Sequence, residues 1–202
     1  MIAAKSKPTT SAPSPTRQRI LDASGELFRR QGYAGTGIKA VVAASHAPFG
    51  SLYHIFPGGK EELGVAALQA GCETYRELVE LIFASGADVV SATRDFFNGA
   101  GAVLEETDYA DACPIATVAL EIASTNEPMR EAAAAAFESW LAALTTRLVE
   151  AGIRRARARA ISIELFCLVE GAFLLCRTTR DTAPMRVAGR AAVATVATTL
   201  AR

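Results

Sequence analysis

The sequence has no apolar run near the roughly 20 residues that a membrane-spanning helix requires. Its N-terminus also lacks the apolar stretch of a secretion signal. The 202 residues include only two histidines and four cysteines, and the cysteines match no zinc or redox spacing. These cysteines are Cys72, Cys113, Cys167 and Cys176. We therefore expect a cytoplasmic protein without a metal site, a disulfide or a cofactor, in which most cysteines are small core residues.

Patterns typical of enzymes are lacking as well. No glycine-rich phosphate loop follows a strand pattern, no histidine occurs after His54, and Glu105-Glu106 is expected at a solvated helix end. No segment shows convincing strand alternation. Because 50% of the residues are apolar, the chain can bury a substantial core. Together these features favour an all-α protein that binds its partners without chemical conversion.

Charge is balanced over the whole chain but not along it. Residues 1–63 contain eight Lys or Arg and four Asp or Glu, whereas residues 64–202 contain thirteen and seventeen. A basic N-terminal part on an acidic remainder favours contact with nucleic acid at one end, although many solvated surfaces show a bias of this size.

The N-terminal segment is predicted to be a disordered arm followed by a helix. Residues 1–15 are rich in Ser, Thr and Pro, and this arm is either a solvated tail or a DNA contact. Ser14-Pro15 predicts a helix start, with an N-cap and a proline at the first helical position, and Gly32 predicts its end. Arg17 and Arg19 in this helix are either phosphate contacts or solvated side chains.

Residues 36–63, TGIKAVVAASHAPFGSLYHIFPGGKEEL, contain two short helical patterns joined by a tight turn. Thr36 is predicted to be the N-cap of the first helix, which ends near Ser45. Pro48 is predicted to be the first residue of the second helix. Leu52 and its neighbour four residues on, Phe56, predict the buried side of the second helix. The residues left to face outward are Phe49, Ser51, Tyr53 and His54.

A third helix is predicted after Pro57-Gly58-Gly59. Lys60 lies at its start, where free backbone N–H groups and the helix dipole favour a phosphate. This succession indicates a helix-turn-helix DNA-binding unit. The run GSLYHIFPGGKEEL resembles the N-terminal DNA-binding domain of the TetR family of transcriptional regulators. The extra glycine before Lys60 and CPIATVALEIAS at 113–124 are similar to the LmrA/YxaF-like branch of that family.

The candidate DNA-binding residues are Thr36, Lys39, His46, Phe49, Ser51, Tyr53, His54 and Lys60. The resemblance implies that Thr36, Tyr53 and Lys60 hold the DNA backbone, which sets register and not sequence. The candidates for base edges are Phe49, Ser51, His54 and, less favoured, His46. The alternative for Phe49 and Tyr53 is a packing role.

Four residues of this unit depart from the usual family pattern. Phe49 stands where a basic residue is common, and Ile55 where an aromatic residue or histidine is usual. His46 and Pro48 replace the glycine and serine common in the turn. We expect these changes to alter the preferred operator and to leave the fold intact.

Helical patterns continue to the end of the chain. One runs from Lys60 to about residue 85, and others are predicted at about 88–106, 114–124, 127–151, 155–179 and 184–200. The predicted organisation is a disordered arm at 1–15, a three-helix DNA-binding domain at 16–63 and a larger helical domain for ligand binding and dimerisation at 64–202. The arginines at 154–159 are interpreted as a solvated helix start, with a second DNA contact as the alternative.

The last two predicted helices suit a dimer interface. The segment 155–179 is apolar nearly all round, and 184–200 is rich in Ala, Val and Thr. Two such helices from each of two subunits form a four-helix interface, which the resemblance also implies. We call the predicted helix-turn-helix unit of residues 36–63 the reader. A homodimer presents two readers to a palindromic double-stranded DNA operator.

The resemblance further implies an apolar pocket for a small-molecule effector in the larger domain. The candidate lining residues are Phe97, Ile115, Val118, Ile122, Trp140, Leu144, Phe166 and Phe173, and each of them also suits a purely core position. The candidate polar anchors are Asn98, Thr117 and Glu121. The predicted function is a repressor released from DNA by a small apolar or amphipathic molecule. The alternative is a helical dimeric adaptor with weakened or lost DNA binding.

Overall fold

The computed structural model describes residues 14–84, 88–111 and 113–201, and in this part of the chain all regular structure is helical. The helices are α1 Pro15–Gly35, α2 Ile38–Ser45, α3 Phe49–Ile55, α4 Gly59–Ile82, α5 Val89–Glu106, α6 Pro114–Ile122, α7 Glu127–Glu150, α8 Arg155–Thr179 and α9 Ala183–Leu200. The all-α prediction is confirmed. The predicted N-terminal arm lies outside the described residues except for Ser14 and Pro15.

Local capping explains where the helices begin. Ser14 accepts a hydrogen bond from the Arg17 backbone N–H at 3.2 Å, and Pro15 follows it, as predicted. Asp88 caps α5 through the Val90 and Ser91 amides. Asn126 caps α7 by accepting from the Met129 amide at 2.9 Å. These side chains satisfy amide groups that have no partner within the helix.

Two predicted cap positions are wrong. The N-cap of α2 is Gly37, because Thr36 ends the preceding helix. Pro48 is the N-cap of α3, with an extended ψ of 138°, and Phe49 is the first helical residue. Proline suits the N-cap as well as the first helical position, because its ring fixes φ at a value that both positions accept and neither position requires a backbone N–H donor.

Two hydrophobic clusters hold the helices together. The first joins the three N-terminal helices to the first half of α4 and to α6 and α7; its fully buried side chains include Ile20, Leu52, Phe56 and Leu63. The second joins α5, α8 and α9 to the ends of α4 and α7. Helix α4 contributes to both clusters, and it runs without interruption through the domain boundary predicted at residue 63.

None of the helices within the described residues is long and apolar enough to cross a membrane. Three of the cysteines, Cys72, Cys113 and Cys176, are buried among the helices, as expected for small core residues, and Cys167 is exposed on α8.

Candidate nucleic-acid interface and internal cavity

The predicted turn between α2 and α3 is stabilised by its two ends. His46 closes α2 in the left-handed backbone conformation, with φ of 51°, and its amide donates to the Ala43 carbonyl at 3.3 Å. Ala47 is buried at the turn, and Leu52 and Phe56 are fully buried beneath α3. These apolar contacts fix the face that α3 presents to solvent.

The outward face of α3 carries the residues expected there. Phe49 is 51% exposed and Tyr53 is 47% exposed, and their ring centroids lie 5.8 Å apart. His54 is exposed and Ser51 is partly buried. Large aromatic side chains rarely remain uncovered without a partner surface, because each leaves apolar area in water. Lys39 on α2 and His46 in the turn are also exposed.

Arg17 and Arg19 contact the reader directly, which neither sequence alternative anticipated. The Arg19 Nε donates to the Ser45 carbonyl at 3.2 Å, at the C-terminal end of α2. The Arg17 guanidinium lies 5.5 Å from the centroid of the Phe56 ring. These two arginines at the start of α1 therefore help to position α2 and α3.

Thr36 does not reach the protein surface. Its side chain is 0% exposed, and its hydroxyl donates to the Gly32 carbonyl at 2.8 Å. Gly32 itself adopts a φ of 78°, so the regular part of α1 ends where the sequence predicted. The structure therefore corrects the role given to the Thr36 side chain: it closes the end of α1 and has no exposed surface to offer a phosphate.

Lys60 lies in the first turn of α4 with its Nζ 4.4 Å from the centroid of the Tyr33 ring. The amides at this helix start are less free than the sequence suggested, because Glu62 accepts from the Gly58 N–H at 2.7 Å. Glu61 and Glu62 both lie in the first turn. Any phosphate here therefore depends on the lysine charge more than on the helix dipole.

Several polar contacts join the three-helix unit to the rest of the molecule. Glu121 of α6 accepts a hydrogen bond from the Ala34 N–H at 2.6 Å. Asn126, the N-cap of α7, donates to Glu61 at 2.6 Å. Arg29 of α1 forms an ion pair with Asp111, which precedes α6. The orientation of the reader is thus set by α6 and its flanking segments as well as by α4.

A cavity of about 610 Å³ lies between α4, α5 and α8, with Arg29 of α1 and Trp140 of α7 in its wall. Its apolar side chains include Tyr75, Leu78, Ile82, Phe96, Val103, Trp140, Phe166 and Phe173. Its acidic and basic side chains are Arg29, Glu77, Asp111 and Glu170, and the Cys113 thiol also borders it. The size and the mainly apolar lining are those of a small-molecule site.

Three of the eight predicted lining residues border this cavity: Trp140, Phe166 and Phe173. The structure places the other five elsewhere, namely Phe97, Ile115, Val118, Ile122 and Leu144. Phe97 faces α9, where a Cβ added at Gly189 would come within 2.9 Å of it. Ile115 and Val118 border a separate groove beside α1, and Ile122 and Leu144 are buried in the two hydrophobic clusters. The helical spacing of these apolar residues predicted that they are buried, but it did not predict which side of each helix borders the cavity.

The predicted polar anchors do not line the cavity either. Asn98 is exposed, the Thr117 hydroxyl donates to the Cys113 carbonyl at 3.0 Å, and Glu121 bonds to Ala34. The polar groups that do line it were missed; they include Arg29, Glu77, Asp111 and Glu170. Glu170 offered a signal, since it is the only acidic residue among the apolar side chains of 165–175.

Burial changes the proton affinity of two cavity groups. It raises the pKa of Glu170 to about 7, partly offset by a hydrogen bond with Cys113. Burial also raises the pKa of the Cys113 thiol well above its usual value, and the nearby Glu170 carboxylate adds to the rise. Cys113 is therefore a thiol near neutral pH, and its Sγ accepts from the Ala116 amide at 3.4 Å as the cap of α6.

Comparison with known families identifies both parts of the chain. Residues 20–67 match the family described as "Bacterial regulatory proteins, tetR family". Residues 89–191 match "Transcriptional regulator LmrA/YxaF-like, C-terminal domain". The first match contains α2, the turn and α3, and the second contains most of the cavity wall.

The similarity to known proteins extends over most of this chain and most of each relative. The HTH-type transcriptional regulator LmrA of Bacillus subtilis is 34% identical over 177 residues, which cover 84% of this chain and 90% of that protein. The uncharacterized regulator YxaF of the same organism is 32% identical over 170 residues, covering 84% and 89%. The crystal structure of a regulatory protein TetR from Rhodobacter sphaeroides has a TM-score of 0.80 at 22% identity, covering 90% and 99%, and so shares the fold. The chain belongs to the TetR family of transcriptional regulators, with a helix-turn-helix DNA-binding unit and an LmrA/YxaF-like C-terminal domain.

Proposed function

We propose that this protein is a dimeric repressor that leaves its DNA operator when a small molecule binds in the cavity between α4, α5 and α8. The observation that carries the proposal is that Arg29, a residue of the DNA-binding unit, forms part of the cavity wall. A molecule in the cavity thus contacts the same helix that positions α2 and α3. The cavity volume and its lining support a drug-sized occupant.

The exposed row of α3 supplies the proposed contacts to base edges. Phe49 offers an apolar surface for a thymine methyl, and His54 can donate to or accept from a base. Ser51 and His46 are further candidates for base edges. Tyr53, Lys39 and Lys60 are the proposed phosphate contacts, because the two lysines are cationic and the exposed Tyr53 carries a hydroxyl that can donate to a phosphate.

Dimerisation is proposed through α8 and α9. One side of α8 is buried in the protomer, but Ile163, Leu174 and Leu175 on its other side are exposed, and Val187 is exposed on α9. The neighbouring positions include Gly171, Ala191 and Ala194, whose small size permits close helix approach. A two-fold pairing of these faces would cover apolar area that a lone protomer leaves in water.

Regulation requires that the effector prefer the conformer whose two readers no longer match the operator half-sites. Helix α4 carries Lys60 at its start and cavity residues from Thr74 to Ile82 near its end. The Arg29 and Asp111 pair provides a second connection. Displacement of either cavity wall would therefore be transmitted to the reader, with α1 and α4 moving as rigid helices.

Selection of bound duplexes from a random DNA pool, followed by gel-shift titration of the enriched site, tests the proposal. We expect a palindromic site, steep loss of affinity with salt, and release when a cavity-binding molecule is added. Enrichment of no sequence would favour the dimeric adaptor instead. An operator affinity that is unchanged at saturating concentrations of every cavity ligand would contradict the regulatory part.

A further inference from the structure

The cavity has a chemical character that narrows the class of its occupant, provided that the proposed regulatory function holds. Its inner wall is aromatic. The rings of Trp140 and Phe166 are stacked, with centroids 6.1 Å apart and an interplanar angle of 23°. Tyr75 lies 5.7 Å from Trp140, and Phe96 lies 6.5 Å from Phe166. The faces of aromatic rings carry negative charge density and attract cations.

The ionisable side chains of the cavity wall are mainly acidic. Glu77, Asp111 and Glu170 contribute three carboxyl groups, whereas Arg29 contributes the only basic group among the lining residues. The Arg29 guanidinium is already paired with Asp111. An anionic occupant would have to compete with Asp111 for this arginine and would also meet the field of the other two acids. The wall therefore favours an occupant that brings positive charge.

Asp111 retains unused hydrogen-bonding capacity. The residue is 8% exposed, and its Oδ1 has no hydrogen-bond partner. The Arg30 Nε lies 3.4 Å from this oxygen, within ion-pair distance but without a hydrogen bond. A buried carboxylate oxygen without a donor costs free energy that a ligand N–H can recover. Glu170, also in the cavity wall, has a hydrogen bond with the Cys113 thiol, a weak donor that an ammonium group can supplement.

We propose that the cavity selects hydrophobic amines: the apolar body lies among Leu78, Ile82 and Val103, and the protonated amine lies at the aromatic wall near Asp111 and Glu170. The ammonium supplies the donors that the two carboxyl groups lack, and the ring faces of Trp140 and Phe166 add a cation–π contribution. An uncharged analogue keeps the apolar contacts but loses the charged hydrogen bonds and the cation–π contribution. An acid is repelled by the negatively charged carboxylates of the cavity wall.

Three probes with one apolar body test this selection: 4-phenylbutylamine, 4-phenylbutanol and 4-phenylbutanoate. Their affinities for the DNA-free protein are measured by calorimetry at about pH 8, where Glu170 is ionised. Trp140 is the only tryptophan, so its emission reports occupation of the cavity. We expect the amine to bind at least about ten-fold more tightly than the alcohol, with the acid weakest and a change in Trp140 emission.

Glu170→Gln should lower the affinity for the amine about ten-fold and leave that for the alcohol nearly unchanged. Glu131→Gln removes the same charge from an exposed position of α7 outside the cavity wall and should change neither affinity. Circular dichroism confirms that each variant is folded. Equal affinity for amine and alcohol, tighter binding of the acid, no binding by any probe, or amine binding that ignores Glu170→Gln would each overturn the proposal.

The regulatory function is tested separately by gel shift. A protein that prefers the amine but stays on its operator would contradict the proposed regulation and support amine selection. A protein that is released by the alcohol or the acid, with no preference for the amine, would support regulation and contradict amine selection.

Discussion

Arg29 of α1 is paired with Asp111, the residue that lies two positions before the N-cap of α6, and both side chains line the cavity between α4, α5 and α8. The pair joins a helix of the DNA-binding unit to the body of the molecule at the wall of the cavity. The two side chains are 20% and 11% exposed, so the interaction is only weakly screened by solvent. Loss of the pair should therefore affect both stability and communication between the two parts.

Removal of one partner should destabilise the fold. Arg29→Met and Asp111→Asn are each expected to lower the free energy of unfolding by about 2–3 kcal/mol, with the larger loss for Asp111→Asn because Arg30 also approaches this carboxylate. Urea denaturation of the two variants and of the double variant measures the coupling. The double variant should lose less than the sum of the single losses; strictly additive losses would show that the pair contributes nothing.

Thr36 should act on the fold and not on phosphate contact. Thr36→Val removes the buried hydroxyl that bonds to Gly32 and should lower the free energy of unfolding by about 1–2 kcal/mol, whereas Thr36→Ser retains the donor. The slope of operator affinity against salt should be the same for both variants. A shallower slope for Thr36→Val would restore the phosphate role implied by the family resemblance.

Lys60 and His54 should affect DNA binding differently. Lys60→Ala removes a cation from the DNA-binding unit and should weaken binding to all DNA sequences alike. It should also reduce the slope of log affinity against log salt concentration by about one unit. His54→Ala should cost about 1–3 kcal/mol at particular base pairs and relax preference there. Gel shifts against a panel of single-base operator variants separate the two, and uniform losses for His54→Ala would refute its base-reading role.

The exposed side of α8 should hold the dimer together. Leu174→Glu places a charge on this face, where the leucine is 64% exposed in the protomer, and should yield monomers in sedimentation velocity experiments. Leu120→Glu is the matched control, because Leu120 is 84% exposed on α6, away from α8 and α9. A dimer that survives Leu174→Glu, or is lost equally in the control, would place the interface elsewhere.

Glu170 should make stability depend on pH. Its pKa is about 7 in the folded protein against an ordinary 4.5, so between these values the folded chain keeps a proton that the unfolded chain has lost. The stability contributed by this residue therefore falls as pH rises through this range and is lowest above it. Relative to the parent protein, Glu170→Gln should gain at most about 3 kcal/mol between about pH 5 and about pH 8. Thermal unfolding of both proteins at several pH values measures this gain. A stability difference between them that does not change with pH would refute the assignment of Glu170 as a buried acid.

Sequence patterns predicted the elements of this protein because their causes are local. The N-cap at Ser14, the break at Gly32 and the apolar spacing of Leu52 and Phe56 each involve residues within about one or two helical turns of one another. The exposed row of α3 followed from the same spacing, since two buried residues fix the opposite face of a short helix. The family signature in GSLYHIFPGGKEEL lies in one contiguous run and was therefore visible too.

The tertiary structure alone decided which residues form the cavity. Phe97 and Phe96 are adjacent in the sequence, yet Phe97 packs against α9 and Phe96 lines the cavity, because helix packing and not composition sets the direction that each faces. Arg29 and Asp111 are 82 positions apart in the numbering and meet only because α1 packs on α6. The sequence by itself determined the helices, the Ser14 cap and the exposed face of α3, through short-range backbone and apolar interactions. The acidic, aromatic cavity and its connection to the reader depend on contacts between distant helices, which local periodicity does not encode.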